Sequence, residues 1–256
     1  MSQSKGGSPG RDALVRAVKE LSSIKVRMPN WEDFIECRSP RLVEEVMTAD
    51  EAGRQGFARM RAGRFNTMQV AIADAVFSKQ KKYRVAVQNH VQPFAREWGA
   101  MTLAEFCKQP WPTVFERSLR QPAKDPNAAK HNHLSLEGRV RTIMAGAKRT
   151  HDLGVRSVED ALAWSKEDAR RARLRGALLS TQGLGEALVT NILMNVGYLR
   201  PKLDTHVREV VSSCCGIPKE APAEDMYQWL DAAASVLGRD AFELDQIIWY
   251  ARAEPA

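Results

Sequence analysis

The sequence predicts an all-α protein, and three observations support this. Apolar residues recur at every third or fourth position through most of the chain, as they do on the buried face of an α-helix. Glycine and proline gather at the ends of these segments, where they end helices and form loops. No segment shows a strand pattern of any length, and no internal repeat or heptad run is present.

The first part of the chain contains three predicted helical regions after a tail. Residues 1–10 are small and polar, so we expect them to be disordered. Residues 11–27 place five apolar residues at helical spacing and begin the fold. Residues 41–61 are helical in pattern but polar and interrupted by two glycines, which favours a pair of surface helices. Residues 66–80 leave little polar surface and predict a strongly apolar helix.

The rest of the chain continues in helices around one long loop at residues 121–132. One of these helices is amphipathic and places Arg139 with three other basic residues on its polar face. Another ends at Gly216, a residue type suited to a helix C-cap. The predicted helices span residues 85–98, 101–107, 136–150, 158–164, 168–180, 207–215, 224–237 and 241–252.

The charge of the chain is basic. Its 256 residues can form one large domain or two small ones, and 38 Lys and Arg against 31 Asp and Glu give a net charge of +7. A basic surplus indicates a polyanionic partner, which is nucleic acid or an anionic membrane surface. No apolar run approaches the roughly 18 residues of a membrane-spanning helix, and the N-terminus lacks the apolar core of a signal peptide. We therefore expect a cytoplasmic protein with no membrane partner.

The cysteines do not form a ligand framework. Cys214 and Cys215 are adjacent, the other two lie far upstream, and no pair has the C-x-x-C spacing of zinc or cluster sites. We expect reduced thiols. His131 and His133 are close together but have no third ligand nearby, so we expect neither a metal nor another cofactor.

The most informative stretch is residues 180–211, which opens with a turn formed by Gly183, Leu184 and Gly185 and continues in an apolar helical run. A Gly-x-Gly turn that opens a helix leaves several backbone N–H groups unpaired and pointing outward. The positive end of the helix dipole lies behind these groups, so together they can hold a phosphate. The alternative is a turn that only connects two helices, because Gly-x-Gly by itself is a weak signal.

A second feature of this stretch is Asp204, which lies 204 − 185 = 19 residues after the second glycine and just before another predicted helix. A helix dipole favours the ionised form of a carboxyl group at this position. A fixed carboxylate near a phosphate-binding turn suits chemistry on a nucleic-acid backbone or its sugar. The alternative is that Asp204 or Thr205 is an ordinary helix N-cap.

Together, the Gly-Leu-Gly turn and the sequence Asp-Thr-His-Val that begins at Asp204 resemble the helix-hairpin-helix DNA glycosylases of the endonuclease III superfamily. The resemblance implies that Gly183–Gly185 is the hairpin that grips the DNA backbone and that Asp204 is the catalytic residue. Lyase members carry a lysine two residues after the second glycine, where this chain has Ala187. The chain also departs from the family pattern at Gln182, often proline there, and at Val189, usually alanine.

The resemblance extends to Ser78–Lys79–Gln80, at the end of an apolar helix. In the family, the glutamine of such an element enters the DNA stack beside the extruded nucleotide, so Gln80 is the expected wedge; a solvated helix end is the alternative. Tyr83 is a weaker candidate for the lining of the base pocket. The resemblance implies DNA contacts by Gln80, Lys79, Gln182, Gly183, Leu184, Gly185, Lys202 and Thr205.

The resemblance also implies an architecture and an activity. A helical lobe of residues 11–64 and 198–256 would carry Asp204, residues 65–197 would form a six-helix globule ending in the hairpin, and DNA would lie in a cleft between them. The implied protein is a nucleoid-associated monomer that binds double-stranded DNA with a modified or mismatched base and hydrolyses its N-glycosidic bond. It would have no iron–sulfur cluster. A glycosylase with abasic-site lyase activity and a non-catalytic DNA-binding protein are the alternatives.

Overall fold

The structure is a computed structural model that describes residues 9–79, 82–120, 132 and 134–256. These residues are mostly helical, which confirms the prediction of a helical fold. Within the described ranges, each helix is either too short or too polar to span a lipid bilayer. In chain order, the elements are α1 (Pro9–Ser22), β1 (Lys25–Pro29), α2 (Trp31–Ile35), β2 (Glu44–Thr48), α3 (Ala49–Ala62), α4 (Met68–Ser78), α5 (Tyr83–Ala86), a π-helical turn (Val87–Val91), α6 (Gln92–Trp98), α7 (Leu103–Phe106), α8 (Trp111–Leu119), α9 (Leu136–Asp152), α10 (Val158–Ser165), α11 (Asp168–Leu179), α12 (Glu186–Asn195), α13 (Thr205–Cys215), α14 (Ala223–Leu237) and α15 (Ala241–Ala253).

The chain divides into two compact units. Unit 1 combines the described residues of Met1–Pro29 with Val43–Arg59 and Leu199–Ala256. Unit 2 combines Asn30–Leu42 with Met60–Tyr198. Asn30–Leu42 therefore lies in unit 2, whereas the sequence placed the whole of 11–64 in one lobe. The reason is that α2 buries three large apolar side chains in the core of unit 2, a choice of partner that local spacing does not encode.

A two-stranded antiparallel sheet in unit 1 corrects the prediction that the chain has no strands. Lys25 pairs with Thr48 and Pro29 pairs with Glu44 in its register. The helix predicted over 11–27 is therefore wrong after Ser22, where α1 ends and β1 follows. The helix predicted over 41–61 is wrong before Ala49, where β2 precedes α3. Each strand has only five residues, which is too short for a clear alternating pattern, and the pairing itself supplies the backbone hydrogen bonds.

The core of unit 1 is formed by α1, α13, α14 and α15, with β1 beside α15. Their buried faces carry Leu, Val, Ile, Met and Ala side chains at helical spacing, as the sequence predicts. Gly216 ends α13 with a φ of +66°, a left-handed conformation that favours glycine, so this predicted C-cap is confirmed. This unit holds Asp204, at the start of α13.

The core of unit 2 surrounds α4, whose residues Met68–Phe77 are all buried. Helices α9, α12 and α6 and the π-helical turn pack around it. This confirms the prediction of an apolar helix in residues 66–80. The unit holds the hairpin between α11 and α12, together with the end of α4.

Candidate nucleic-acid interface

The hairpin between α11 and α12 is a tight turn anchored by one apolar side chain. Gly183 has a φ of +92°, which side chains other than glycine rarely adopt. Leu184 is only 4% exposed, and its N–H donates to the carbonyl of Thr181 at 3.1 Å. Leu184 therefore holds the turn in place, and neither its N–H nor its side chain is open to a ligand.

The start of α12 presents an open row of backbone donors. Among the described residues, the N–H groups of Gly183, Gly185, Glu186 and Ala187 have no backbone acceptor. Gly185 is exposed, and a Cβ built on it would meet nothing within 4 Å. Free N–H groups at a helix start, with open space before them, are the arrangement that binds an anion.

An acidic side chain also lies at this helix start, and a charge of this sign opposes phosphate binding. Glu186 is the first residue of α12 and forms an ion pair with Arg175 of α11. Both side chains are substantially exposed, so the pair is screened by solvent and contributes little to stability. Its effect is electrostatic, because the arginine offsets the local negative charge beside the unpaired N–H groups.

Helix α9 holds the hairpin and the end of α4 with side chains from one face. The Thr142 hydroxyl donates to the carbonyl of Gln182 at 3.1 Å. A Cβ on Gly146 would come within 3.4 Å of a methyl carbon of Leu184, so the helix and the hairpin pack closely. Arg139, one turn before Thr142, binds the end of α4. The face at positions 139, 142 and 146 thus fixes both elements.

Arg139 is 3% exposed, which corrects its predicted place on the polar face of this helix. Its guanidinium donates to the carbonyls of Val76 at 2.6 Å, Phe77 at 3.0 Å and Lys79 at 2.9 Å, and also to Leu134 at 3.2 Å. Burial lowers the pKa of this guanidinium. Carbonyls at the C-terminus of a helix have few helical donors. Among the described residues Val76 accepts one backbone N–H, that of Lys79 at 3.4 Å, and the arginine supplies further donors to this helix end.

The Ser78–Lys79–Gln80 element lies at this same helix end. Lys79 is the C-cap residue of α4, and its Nζ approaches the carbonyl of Gly183 at 3.5 Å. The structure therefore brings the Lys79 side chain to the hairpin. Ser78 Oγ is buried with no hydrogen-bond partner in the described part of the chain. Gln80, the expected wedge, lies outside the described residues.

Tyr83, the candidate for the base pocket, takes part in a polar network inside unit 2. Its hydroxyl donates to Asp74 Oδ1 at 2.6 Å and accepts from Arg64 Nη2 at 2.6 Å. Asn195 Nδ2 donates to the other oxygen of Asp74 at 3.0 Å. The ring meets Trp31 edge to face, with centroids 5.1 Å apart. Burial raises the pKa of Tyr83 well above its ordinary value. The hydroxyl is thus engaged internally, and a role in lining a base pocket would fall to the half-buried ring.

In unit 1, Asp204 is the N-cap of α13. Its Oδ1 accepts a hydrogen bond from the Val207 N–H at 3.0 Å. Its Oδ2 has no hydrogen-bond partner among the described residues, and the side chain is half-buried. The capping interpretation is therefore correct for one oxygen, and the cap does not use the second oxygen.

A second carboxyl group, which the sequence analysis missed, lies near Asp204. Asp245 of α15 is 2% exposed; its Oδ1 accepts from the Lys202 N–H at 3.2 Å and its Oδ2 from Gln246 Nε2 at 3.0 Å. Burial, and then the negative charge of Asp204, raise the pKa of Asp245 to about 7. The signal in the sequence was an aspartate inside the apolar run of Leu244, Ile247 and Ile248, where a charged residue is rare.

The remaining expected contacts are on the surface of their units. Gln182 and Thr205 are exposed, and Lys202 is half-buried. Thr205 lines a shallow pocket with Arg208, Lys219 and Glu220.

No metal site or disulfide is evident in the described part of the chain. All four cysteines are free thiols. No group of three or more His, Cys, Asp or Glu side chains among the described residues is arranged to hold a metal ion. His131 and His133 lie outside the described residues.

Comparison with known proteins adds no relative from which a function could be inferred. The chain matches no protein-family model, no curated protein and no solved structure.

Proposed function

We propose that the protein is a monofunctional DNA glycosylase that removes a damaged, mismatched or modified base and leaves an abasic site. The observation that carries the proposal is the hairpin, where free N–H groups at the start of α12 face open space beside Lys79. The two-lobed helix-hairpin-helix glycosylase fold is part of the same proposal.

Binding begins with the DNA backbone. The unpaired N–H groups of Gly183, Gly185, Glu186 and Ala187 receive one phosphate, and the helix dipole adds a favourable field. Lys79 lies beside this seat and adds a positive charge. The net charge of +7 supports a general attraction to DNA, which weakens as salt increases.

Access to the glycosidic bond requires that the nucleotide leaves the duplex. Extrusion costs a few kcal/mol, and least for a mismatched or damaged base. Gln80 fills the vacated space in this proposal. Arg139 fixes the carbonyls of Phe77 and Lys79, so the backbone just before the wedge is rigid.

The chemistry belongs to Asp204. Breaking an N-glycosidic bond builds positive charge on the sugar, as in glycoside hydrolysis. The carboxylate of Asp204 stabilises this charge and orients or deprotonates the attacking water with Oδ2, while Oδ1 stays on the Val207 N–H. Ala187 offers no amine for a Schiff base, so the strand remains intact.

The decisive experiment is Asp204→Asn, assayed on a panel of duplexes that each carry one modified or mismatched base. Abasic sites are revealed by cleavage with hot alkali. Asparagine caps a helix about as well as aspartate, so α13 is preserved and DNA affinity should stay the same. Base release should fall on the order of 10²–10³-fold, because the negative charge is lost. Full activity of this variant would refute the mechanism.

Two other outcomes identify the alternatives. If the wild-type protein binds DNA but releases no base from any duplex, it is a non-catalytic binder in which Asp204 serves only as the cap seen at Val207. If borohydride traps a covalent complex on abasic DNA, an amine such as Lys202 acts as nucleophile and the protein is a lyase as well.

A further inference from the structure

The interior of unit 1 is apolar with one exception. Asp245 is buried, while every other buried polar or charged side chain in the described part of the chain belongs to unit 2. Burying an ionised carboxylate without a cationic partner costs several kcal/mol. A buried charged side chain in an otherwise apolar core lowers stability, so its presence indicates a functional role.

The position of Asp245 connects it to Asp204. The N–H that it accepts belongs to Lys202, two residues before Asp204. The Arg208 Nε donates to the carbonyl of Leu203 at 3.1 Å, and the Arg208 N–H donates to the carbonyl of Asp204 at 2.9 Å. Hydrogen bonds therefore fix the segment Lys202–Asp204 from both sides, and Asp245 supplies the one from α15.

We propose that Asp245 is a positioning residue for Asp204. Asp245 holds the segment Lys202–Asp204 from α15, and it changes the charge beside Asp204 by binding or releasing a proton. This inference rests on the function proposed above. In this inference Asp245 does not contact DNA. It acts only through its hydrogen bond with the Lys202 N–H and through the effect of its charge on Asp204.

The surroundings of Asp245 make its protonation responsive to Asp204. The strongest charges acting on it are Asp204, which caps α13, and Lys202, while Gln246 on its own helix donates a hydrogen bond. The other elements packed against α15 are α1, α3, α14 and β1, and the side chains that they bury in this core are apolar. The charged groups that α3 brings to this helix, Asp50 and Arg54, form ion pairs with Arg239 and with Glu243 at its start. Few groups compensate the charge, so the carboxyl changes its protonation near neutral pH.

The two protonation states have opposite effects on binding and chemistry. Below about pH 7 the neutral acid leaves Asp204 as the one negative charge of the pair. Above this pH a second negative charge favours the positive sugar of the transition state and opposes the approach of phosphates. We therefore expect the rate constant of base release to rise, and the affinity for DNA to fall, as the pH passes through about 7.

The test is single-turnover base release by the wild type and Asp245→Asn, from about pH 5 to about pH 9, on the best duplex of the panel. The wild-type rate constant should rise about threefold to tenfold through neutral pH. Asp245→Asn should lack this rise and keep the rate of the wild type at low pH. Asp231→Asn, an exposed aspartate of α14, is the matched control and should keep the wild-type profile. A wild-type profile in Asp245→Asn would overturn the inference.

A second measurement does not depend on activity. A carboxyl ¹³C NMR titration of Asp245 in the wild type and in Asp204→Asn should show a lower pKa in the variant, by about half a unit to one unit, because a like charge is removed. An unchanged pKa would disprove the coupling. If no duplex releases a base although this shift is present, the proposed function is wrong, and the pairing of the carboxyl groups stands without a catalytic role.

Discussion

The two units bury polar side chains in different ways. In unit 2, buried polar groups bridge elements: Gln69 donates to the carbonyls of Trp98 and Met101, and Asn195 donates to the carbonyl of Ala71. In unit 1, the core is apolar apart from Asp245, whose hydrogen bonds come from one backbone N–H and one neighbouring side chain.

This difference shows how each unit supports the candidate residues that it carries. The hairpin and the end of α4 are irregular backbone, whose free carbonyls need donors, so unit 2 requires polar side chains in its interior. Asp204 begins a regular helix, and its backbone needs little support beyond the cap. Asp245 accepts one backbone N–H, that of Lys202, but a neutral acceptor would satisfy this donor equally well, which is why we propose a role for its charge beside Asp204.

The largest expected effect is at Arg139. Arg139→Met keeps the apolar stem and removes the donors to three carbonyls at the end of α4. The free energy of unfolding should fall by about 3–5 kcal/mol, since several buried carbonyls lose a charged donor at once. Denaturant unfolding followed by tryptophan fluorescence measures this change. Lys148→Met, an exposed residue of the same helix, is the control and should change stability by less than about 1 kcal/mol. Equal effects of the two variants would contradict the role of Arg139.

The next effect concerns stability against pH at Asp245. Its folded-state pKa is about 7, against about 3.9 in an unfolded chain, so the folded state binds the proton more tightly between these values. The wild-type free energy of unfolding should therefore fall as the pH rises from about 4 to about 7, by about 2–4 kcal/mol. Asp245→Asn should lack this loss and be the more stable protein at about pH 8.

Denaturant unfolding at a series of pH values tests this prediction, with Asp231→Asn as the surface control. If Asp245→Asn and the wild type lose stability in parallel across this range, the carboxyl group of Asp245 does not change protonation there. The core of unit 1 would then contain no buried group that lowers stability by its charge, and the two cores would not differ in this respect.

The smallest effect is expected at Tyr83. Tyr83→Phe removes the hydroxyl between Arg64 and Asp74 but leaves Asn195 bound to the same carboxylate. Unfolding should become easier by about 1–2 kcal/mol, the cost of a buried hydrogen bond to charged groups. Thermal and denaturant unfolding both report it. Tyr198→Phe is the control, since the Tyr198 hydroxyl has no hydrogen-bond partner among the described residues. If Tyr83→Phe leaves the free energy of unfolding unchanged, the Tyr83 hydroxyl does not contribute to the stability of unit 2.

The sequence predicted only some of the candidate residues. Gly183 and Gly185 were predicted because a glycine turn before an apolar helix is a local signal, and Asp204 because it precedes the next helix. Arg139 and Asp245 could not be predicted with the same means. Arg139 was placed on a polar face by the residues around it in sequence, and Asp245 was given no role. The roles of both depend on carbonyls and charges brought close from distant segments.

By itself, the sequence determined most of the helices, their glycine ends and most of their apolar faces, because these depend on residues three or four positions apart. It predicted no helix at α2 or α8. The tertiary structure alone decided the pairing of β1 with β2, the place of α2 in unit 2 and the burial of Arg139 and Asp245. The physical reason is that strand pairing and buried charges are stabilised by partners far along the chain. The local spacing of residues does not specify these partners.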